Sequence, residues 1–151
     1  MPRLRLVTPT HPAAAPLLAG LRHEYQTTYG PDVAAELDAY SEYEFFPPAG
    51  AFLVLESRGI TLAGGALRRL EPGVGEIKRM WTAPSARGLG IARKVLRRLE
   101  EKAREVGVAR LHLETNRTLA EAQALYRQEG YEEVAPFNSE PYAHHWFEKR
   151  L

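Results

Sequence analysis

The hexapeptide Arg87-Gly88-Leu89-Gly90-Ile91-Ala92 joins a predicted strand over about 76–82 to the most regular amphipathic helix of the sequence, 92–106. Its two glycines let the backbone approach a bulky ligand without Cβ collisions. The helix that follows offers unpaired N–H groups and the positive end of its dipole. Loop and helix therefore predict an anion site, most naturally for phosphate or pyrophosphate. The flanking cations that add charged donors are Arg87, Arg93 and Lys94.

Three phosphate-binding patterns compete for this loop. A Walker loop requires Gly, four residues and then Gly-Lys-Ser/Thr, and the sequence contains no such string. A dinucleotide fingerprint requires a third glycine where Arg93 stands, and it favours the first strand of a parallel sheet. The third pattern, Arg/Gln-x-x-Gly-x-Gly/Ala, is matched in full by Arg87, Gly90 and Ala92.

This third pattern resembles the pyrophosphate-binding signature of the GNAT superfamily of acyl-CoA-dependent N-acetyltransferases. Further segments resemble that family in the expected order, so residues 76–151 are covered closely and residues 1–75 only by element order. The segments similar to the family's fourth strand, fifth strand, following helix with its strand, and closing strand are 76–84, 111–115, 122–131 and 147–151.

Hydrophobic periodicity predicts one α/β (α+β) domain over residues 1–151. We expect a mixed, mostly antiparallel sheet of about six to seven strands flanked by about four helices. The predicted strands cover 3–8, 51–57, 60–70, 76–82, 108–115, 131–134 and 143–149. The predicted helices cover 16–25, a short segment capped by Asp32 through Tyr40, 92–106 and 119–129.

Composition excludes several functional classes. The 20 Lys and Arg nearly balance the 19 Asp and Glu, so no overall field favours nucleic acid or an anionic membrane. The absence of cysteine excludes disulfides, thiolate zinc sites and a cysteine nucleophile. His144 and His145 are adjacent, so they point to opposite faces of a strand, and we expect no metal. No membrane span or leader is evident, so we expect a cytoplasmic protein.

Tyr126 is the candidate general acid. The resemblance aligns it with the family's tyrosine that protonates the coenzyme A sulfur, and a phenol with a pKa near 10 is protonated at neutral pH. The alternative is a core aromatic residue beside Ala122 and Leu125.

Glu76 is the candidate general base, because an alkylammonium with a pKa of about 10 must lose a proton before it can attack a thioester. It lies 11 residues before Arg87, where some family members carry a base. A period of two places Glu76, Lys78 and Met80 on one strand face. The alternative is an ordinary strand-end Glu paired with Lys78 or Arg79.

The resemblance also implies the residues that bind acetyl-CoA. The Met80 N–H would face the acetyl oxygen, and the main chain of Thr82 would pair with the pantetheine arm, provided that the fourth and fifth strands separate. Many relatives carry a polar contact where this chain has Leu119; Asn116 could replace it or could cap the helix. The full expected set is Met80, Trp81, Thr82, Arg87, Gly88, Leu89, Gly90, Ile91, Ala92, Arg93 and Asn116.

The predicted function is transfer of an acetyl group from acetyl-CoA to a primary amine by direct attack. The acceptor would be a small molecule or a peptide. The alternatives are a non-catalytic acyl-CoA sensor or docking module, and a nucleotide-binding regulator. Acidic and aromatic residues over 36–46 stand where the family builds acceptor pockets, although a solvated helix face with an aromatic lid explains them equally well. Small members often dimerise, which adds a homodimer to the expectations.

Overall fold

The computed structural model describes residues 2–30, 37 and 41–151. Within these residues the chain forms a seven-stranded mixed sheet. In sheet order the strands are β1-β2-β3-β4-β5-β7-β6, and among these neighbours only β4 and β5 are parallel. The sequence prediction of a mostly antiparallel sheet is confirmed. The strands are β1 (Arg3–Val7), β2 (Gly50–Ser57), β3 (Ile60–Glu71), β4 (Val74–Thr82), β5 (Arg110–Thr115), β6 (Glu132–Val134) and β7 (His145–Arg150).

Three α-helices pack around this sheet in the described ranges, one fewer than the sequence predicts. The short helix predicted from Asp32 to Tyr40 falls, apart from Leu37, outside the described residues. No helix among the described residues is long and apolar enough to span a bilayer. The helices are α1 (Ala15–Thr28), α2 (Ile91–Glu105) and α3 (Ala120–Gln128), with 3₁₀ turns at Pro12–Ala14, Glu42–Phe45 and Pro84–Ala86.

The sheet has an apolar core on each face, because successive strand residues point to opposite sides. On β2, Leu53 joins the cluster beneath α2, whereas Phe52 and Val54 join the cluster beneath α1. Helix α2 contributes the fully buried Val95, Leu96, Leu99 and Ala103 to the first cluster. This burial fixes the helix over β3 and β4 and thereby sets where its N-terminus lies.

A β-bulge in β4 bends the strand away from β5. Ala66 of β3 pairs with Lys78 and Gly64 pairs with Trp81, so Gly65 faces two residues, one of which is Arg79 with a φ of +60°. Pairing between β4 and β5 extends only from Val74–Arg110 to Glu76–His112. The predicted separation of these two strands is therefore present.

The bulge also moves one predicted residue to the other face. A Cβ placed on Gly65 would lie 2.5 Å from the Sδ atom of Met80 and 2.9 Å from Cδ1 of Leu99, so Met80 packs in the α2 core. Lys78 instead pairs with Ala66, whose side chain belongs to the α1 cluster. The prediction that Met80 shares a face with Glu76 and Lys78 is wrong, because the bulge breaks the alternation that the period of two assumes.

The core beneath α2 provides a stability test. We expect Leu99→Ala to lower the free energy of unfolding by about 2–5 kcal/mol, since Leu99 is fully buried. The same change at Leu89, whose side chain is 69% exposed, should alter it by less than about 0.5 kcal/mol. Urea titrations of both variants measure this, and equal losses would contradict the placement of α2.

Candidate active site

An open cleft of about 900 Å³ lies where β4 and β5 separate. One wall is the inner side of α1, and the opposite wall is α3. The start of α2 closes one end, and Tyr142 from the β6–β7 loop borders the cleft as well. The strand residues that line it are 77–82 of β4 and 113–115 of β5. The cleft thus joins the loop singled out in the sequence to the predicted Tyr126.

The glycine loop leaves the N-terminus of α2 without a side-chain cap. Gly88 and Gly90 have φ angles of +79° and +74°, a region that residues with a Cβ rarely adopt, and Gly90 is the N-cap. The first turn of α2 contains no acidic residue. The N–H groups of 91–93 have no acceptor within an α-helix, so they are available to an anion in the cleft. This geometry suits the predicted diphosphate site.

The arginines that flank the loop are engaged with neighbouring elements. Arg87 forms an ion pair with Glu24 of α1, and its Nε donates to the Thr82 carbonyl over 3.2 Å. Arg93 donates to Gln128 of α3 over 2.5 Å and lies 3.3 Å from Glu129. The main-chain N–H groups of 91–93 are, by contrast, occupied by no side-chain cap.

The C-terminal half of β4 has one edge without a strand partner. Beyond Glu76 the β5 strand no longer pairs with it, so the main chain of Met80 and the N–H of Thr82 are open toward the cleft on that side, while the Thr82 carbonyl accepts from Arg87. The Met80 side chain is held in the α2 core, and the Trp81 ring lies against Gly20 of α1. These residues thus offer a bound molecule mainly backbone, as predicted for a pantetheine arm.

Tyr126 of α3 borders the middle of the cleft and is 6% exposed. Its ring packs against Tyr131 and Phe147, with centroid distances of 5.8 and 6.0 Å. Burial raises the pKa of the hydroxyl well above 10, and the nearby Glu114 carboxylate raises it further. The phenol therefore keeps its proton across the ordinary pH range, which a general acid requires. It is at once a core aromatic residue and a cleft residue, and its role as the general acid stays a prediction.

Glu76 lies beside a second cavity of about 330 Å³ instead of the cleft. Its side chain is 3% exposed, and Oε1 lies 3.2 Å from Arg68 and 3.4 Å from the Lys78 ammonium. Burial raises the pKa of this carboxyl despite those two cations. The pairing with Lys78 left open by the sequence is present, and Arg68 is the second partner.

Glu114 of β5 is a cleft residue that sequence reasoning missed. Its side chain is 1% exposed, and Oε1 accepts hydrogen bonds from the Lys78 ammonium and, over 2.9 Å, from the Tyr142 hydroxyl. Oε2 is buried and has no hydrogen-bond partner within the described residues. The sequence could have indicated Glu114 by its place on the polar face of β5, at the end of the strand where β4 and β5 were predicted to separate.

Comparison with known proteins agrees with this geometry. The sequence model of the "Acetyltransferase (GNAT) family" matches residues 18–131. An N-acetyltransferase of Escherichia coli K12, YjgM, itself uncharacterised, is 32% identical over 140 residues, which are 86% of this chain and 81% of that protein. The chain belongs to the GNAT acetyltransferase family. The predicted family and its class, an acetyl-CoA-dependent N-acetyltransferase, are confirmed.

Two further relatives extend the comparison. An IAA acetyltransferase of Azospirillum brasilense is 42% identical over 87 residues, and the match spans only 57% of each chain. A crystal structure from Klebsiella pneumoniae, named as an acyl-CoA N-acyltransferase, has a TM-score of 0.78 and 28% identity, and it covers 100% of this chain and 98% of the other. The structural similarity thus also covers the described part of residues 1–75, where the sequence showed only element order.

Asn116, the predicted substitute for a polar GNAT contact, is tied into its own loop. Its Nδ2 donates to the Tyr142 carbonyl over 2.6 Å, and its Oδ1 accepts from the N–H of Thr118 over 2.9 Å. The N-cap of α3 is Leu119, which has no capping side-chain bond. The helix-cap interpretation of Asn116 is therefore wrong: the residue closes a turn before the helix, because a two-residue reach suits its short side chain. Asn116 nevertheless borders the cleft, so its predicted cofactor contact remains a prediction.

The acidic and aromatic segment divides into several environments. Glu36, Asp38 and Tyr40 lie outside the described residues. Phe45 is buried and packs edge-to-face on Phe52, with centroids 6.3 Å apart. The remaining described members are varied: Tyr43 is 67% exposed, and Glu44 binds Arg68 over 2.8 Å. The aromatic-lid interpretation is thus confirmed for Phe45.

The two adjacent histidines make separate contacts. His145 pairs with Glu133 over 2.8 Å, and the Nδ1 atom of His144 accepts from the Arg117 N–H over 3.2 Å. The described residues include no group of three side chains that could hold a metal ion.

Gly90 and Gly73 form a matched pair for testing the loop. Both have positive φ, +74° and +79°, and a Cβ at either would meet nothing within 4 Å. Alanine at each should therefore cost a similar strain, about 1–2 kcal/mol. Only Gly90→Ala should weaken coenzyme A binding, by roughly tenfold or more, since it alone shapes the helix N-terminus. Calorimetric titration decides this, and equal binding by both variants would remove the loop from the site.

Proposed function

We propose that the protein transfers the acetyl group of acetyl-CoA to a primary amine by direct attack within a ternary complex. The observation that carries this proposal is that one cleft joins an uncapped helix N-terminus to a buried tyrosine. A module that only binds acyl-CoA would need the helix N-terminus alone. An enzyme that expels a thiolate needs the tyrosine as well.

The cleft suits a long substrate with a diphosphate at one end. The N–H groups of 91–93 would bind the diphosphate through main-chain donors. The open edge of β4 would accept the extended pantetheine arm in the manner of an added strand. The Met80 N–H would then polarise the acetyl carbonyl, a role for which a fixed backbone donor is well suited.

Tyr126 would supply the proton that the leaving sulfur requires. Nitrogen forms a bond to the acetyl carbon, the carbon–sulfur bond breaks, and the Tyr126 hydroxyl donates its proton to sulfur. The chain contains no cysteine, and direct attack needs none because no acyl-enzyme forms. Burial raises the pKa of the phenol, so the hydroxyl enters the reaction protonated.

The acceptor end of the cleft suits a cationic amine. Lys78 and Glu114 border the cleft there, and Glu140 lies 3.8 Å from the same ammonium, whereas Glu76 contacts it from the side of the second cavity. On the cleft side two carboxylates, Glu114 and Glu140, thus accompany one ammonium, so a further ammonium ion would be attracted to them. Both small amines and peptide amines carry that group. Homodimerisation and a cytoplasmic location stay predictions from the sequence.

The activity is tested by release of free thiol from acetyl-CoA with a panel of amines, polyamines, amino acids and Lys peptides. Tyr126→Phe should lower kcat by roughly 10²-fold for any acceptor found, because only the proton donor is removed. Coenzyme A affinity should not change, since the ring remains in place.

Tyr131→Phe is the matched control. Tyr131 packs against Tyr126 and donates to Glu100 over 2.7 Å, and the cleft residues do not include it. This change should reduce stability while kcat stays close to that of the parent. Full turnover by Tyr126→Phe would exclude the general-acid role, and binding of coenzyme A without thiol release from any amine would favour the sensor.

The pH dependence of the Tyr126 effect follows from its burial. Its pKa lies above the usual value near 10, so the hydroxyl should stay protonated from neutral pH to pH ~10. The ratio of the parent rate to the Tyr126→Phe rate should therefore be constant over that range. A ratio that has fallen to about half its neutral-pH value by pH ~10 would show that the phenol ionises with its ordinary pKa near 10.

A further inference from the structure

A buried carboxylate at the end of β5 borders the cleft with one oxygen unused. Oε1 of Glu114 is held by two donors, the Lys78 ammonium and the Tyr142 hydroxyl. Oε2 is equally buried and has no partner among the residues that the structure describes. Buried acceptors are almost always paired, so an orphaned carboxylate oxygen beside a substrate cleft indicates a position for a donor. A bound ammonium, or a water that it binds, supplies such a donor.

We propose that Glu114 accepts the proton of the acceptor ammonium, and that Lys78 and Tyr142 are positioning residues that hold its carboxylate in place. The proposal rests on the proposed acetyl transfer. With Oε1 bound from two sides, the carboxylate cannot turn freely, and Oε2 is the oxygen left to take the proton. Glu114 is also close enough to Tyr126 for its charge to disfavour the tyrosinate, so the base and the acid lie at the same part of the cleft.

The protons and electrons of the reaction balance with these groups. The ammonium gives one proton to Oε2 of Glu114 and becomes a neutral amine. Its lone pair forms the bond to the acetyl carbon, and the electrons of the carbon–sulfur bond leave with sulfur, which takes the Tyr126 proton. The second proton lost by nitrogen restores Tyr126, and Glu114 releases its proton to water. An ammonium and a thioester thus yield an amide, a thiol and one proton.

Glu76 occupies a different position although it binds the same lysine. Its Oε1 lies 3.4 Å from the Lys78 ammonium and 3.2 Å from Arg68, on the side of the second cavity. Lys78 therefore stands between Glu76 and Glu114. Glu140, 3.8 Å from Lys78, is the remaining carboxylate around this ammonium. Glu76 balances the charge of the lysine and serves as the matched comparison for Glu114.

The experiment compares two acceptors of nearly equal size and different basicity. The first is an alkylamine identified by the thiol-release panel, which is an ammonium ion at neutral pH. The second is its alkoxyamine analogue, which is neutral under the same conditions and needs no base before attack. Glu114→Gln should lower kcat/KM for the alkylamine by roughly 10²- to 10⁴-fold and should change that for the alkoxyamine far less.

Glu76→Gln, at the other carboxylate on Lys78, should affect the two acceptors by the same factor. Tyr142→Phe should also lower kcat/KM selectively for the alkylamine, but by a smaller factor than Glu114→Gln. It removes one hydrogen bond to the Glu114 carboxylate and leaves the carboxylate itself in place. Thermal unfolding and coenzyme A titration establish that each variant is folded. If Glu114→Gln does not fold, Glu114→Asp replaces it, and its kcat/KM should likewise fall more for the alkylamine than for the alkoxyamine.

Equal losses for both acceptors in Glu114→Gln, or a selective loss in Glu76→Gln, would overturn the assignment while leaving the acetyltransferase activity established. An unmodified protein that acetylates no amine would instead overturn the proposed function, and this assignment with it.

Discussion

The separation of β4 from β5 is the constraint on which the site depends. It requires one residue with a side chain, Arg79, to adopt a left-handed conformation, which costs on the order of 1–3 kcal/mol. Contacts of the same residue offset that cost: its guanidinium lies 5.6 Å from the centre of the Phe45 ring and donates to the Leu37 carbonyl over 3.2 Å. The bulge thus opens the strand edge to the cleft, and Arg79 contacts Leu37 and Phe45.

The separation of the strands leaves room for a group of buried charged side chains beside the cleft. Lys78 is 3% exposed and carries two buried carboxylates, at Glu76 and Glu114, one on each side. Burying such an arrangement is costly, and well-packed apolar residues often stabilise a fold as well or better. Clusters of this kind concentrate where a protein handles protons, so the position of the cluster at the cleft supports a chemical role. The two carboxylates differ in their hydrogen bonds, because Oε2 of Glu114 has no partner among the described residues.

The sequence predicted the features that are encoded locally. The glycine loop and the helix it begins depend on residues close together in the chain, so spacing and periodicity identify them. Tyr126 was singled out by the resemblance to the GNAT family, since helical spacing alone indicates only a core aromatic residue. The face of Met80 could not be predicted, because the bulge at Arg79 depends on how β3 pairs with β4. Glu114 was missed for a related reason: its importance arises from Lys78 and Tyr142, which are 36 and 28 residues away and meet it only in the folded chain.

The two ends of the cleft differ in how firmly they are held. At the centre, Tyr126 and the end of β5 are anchored in the core, where changes in volume cost several kcal/mol. At the rim, the glycine loop is linked to α1 by the ion pair of Arg87 with Glu24, and α2 is linked to the end of α3 by that of Arg93 with Glu129; both pairs are at least partly exposed. Such pairs contribute only about 0–1 kcal/mol each and weaken with salt. The core around Tyr126 is therefore costly to deform, whereas the ion pairs at the rim can be exchanged at little cost. Because the proposed diphosphate donors are main-chain groups, these arginines can keep or exchange their partners without dismantling the loop.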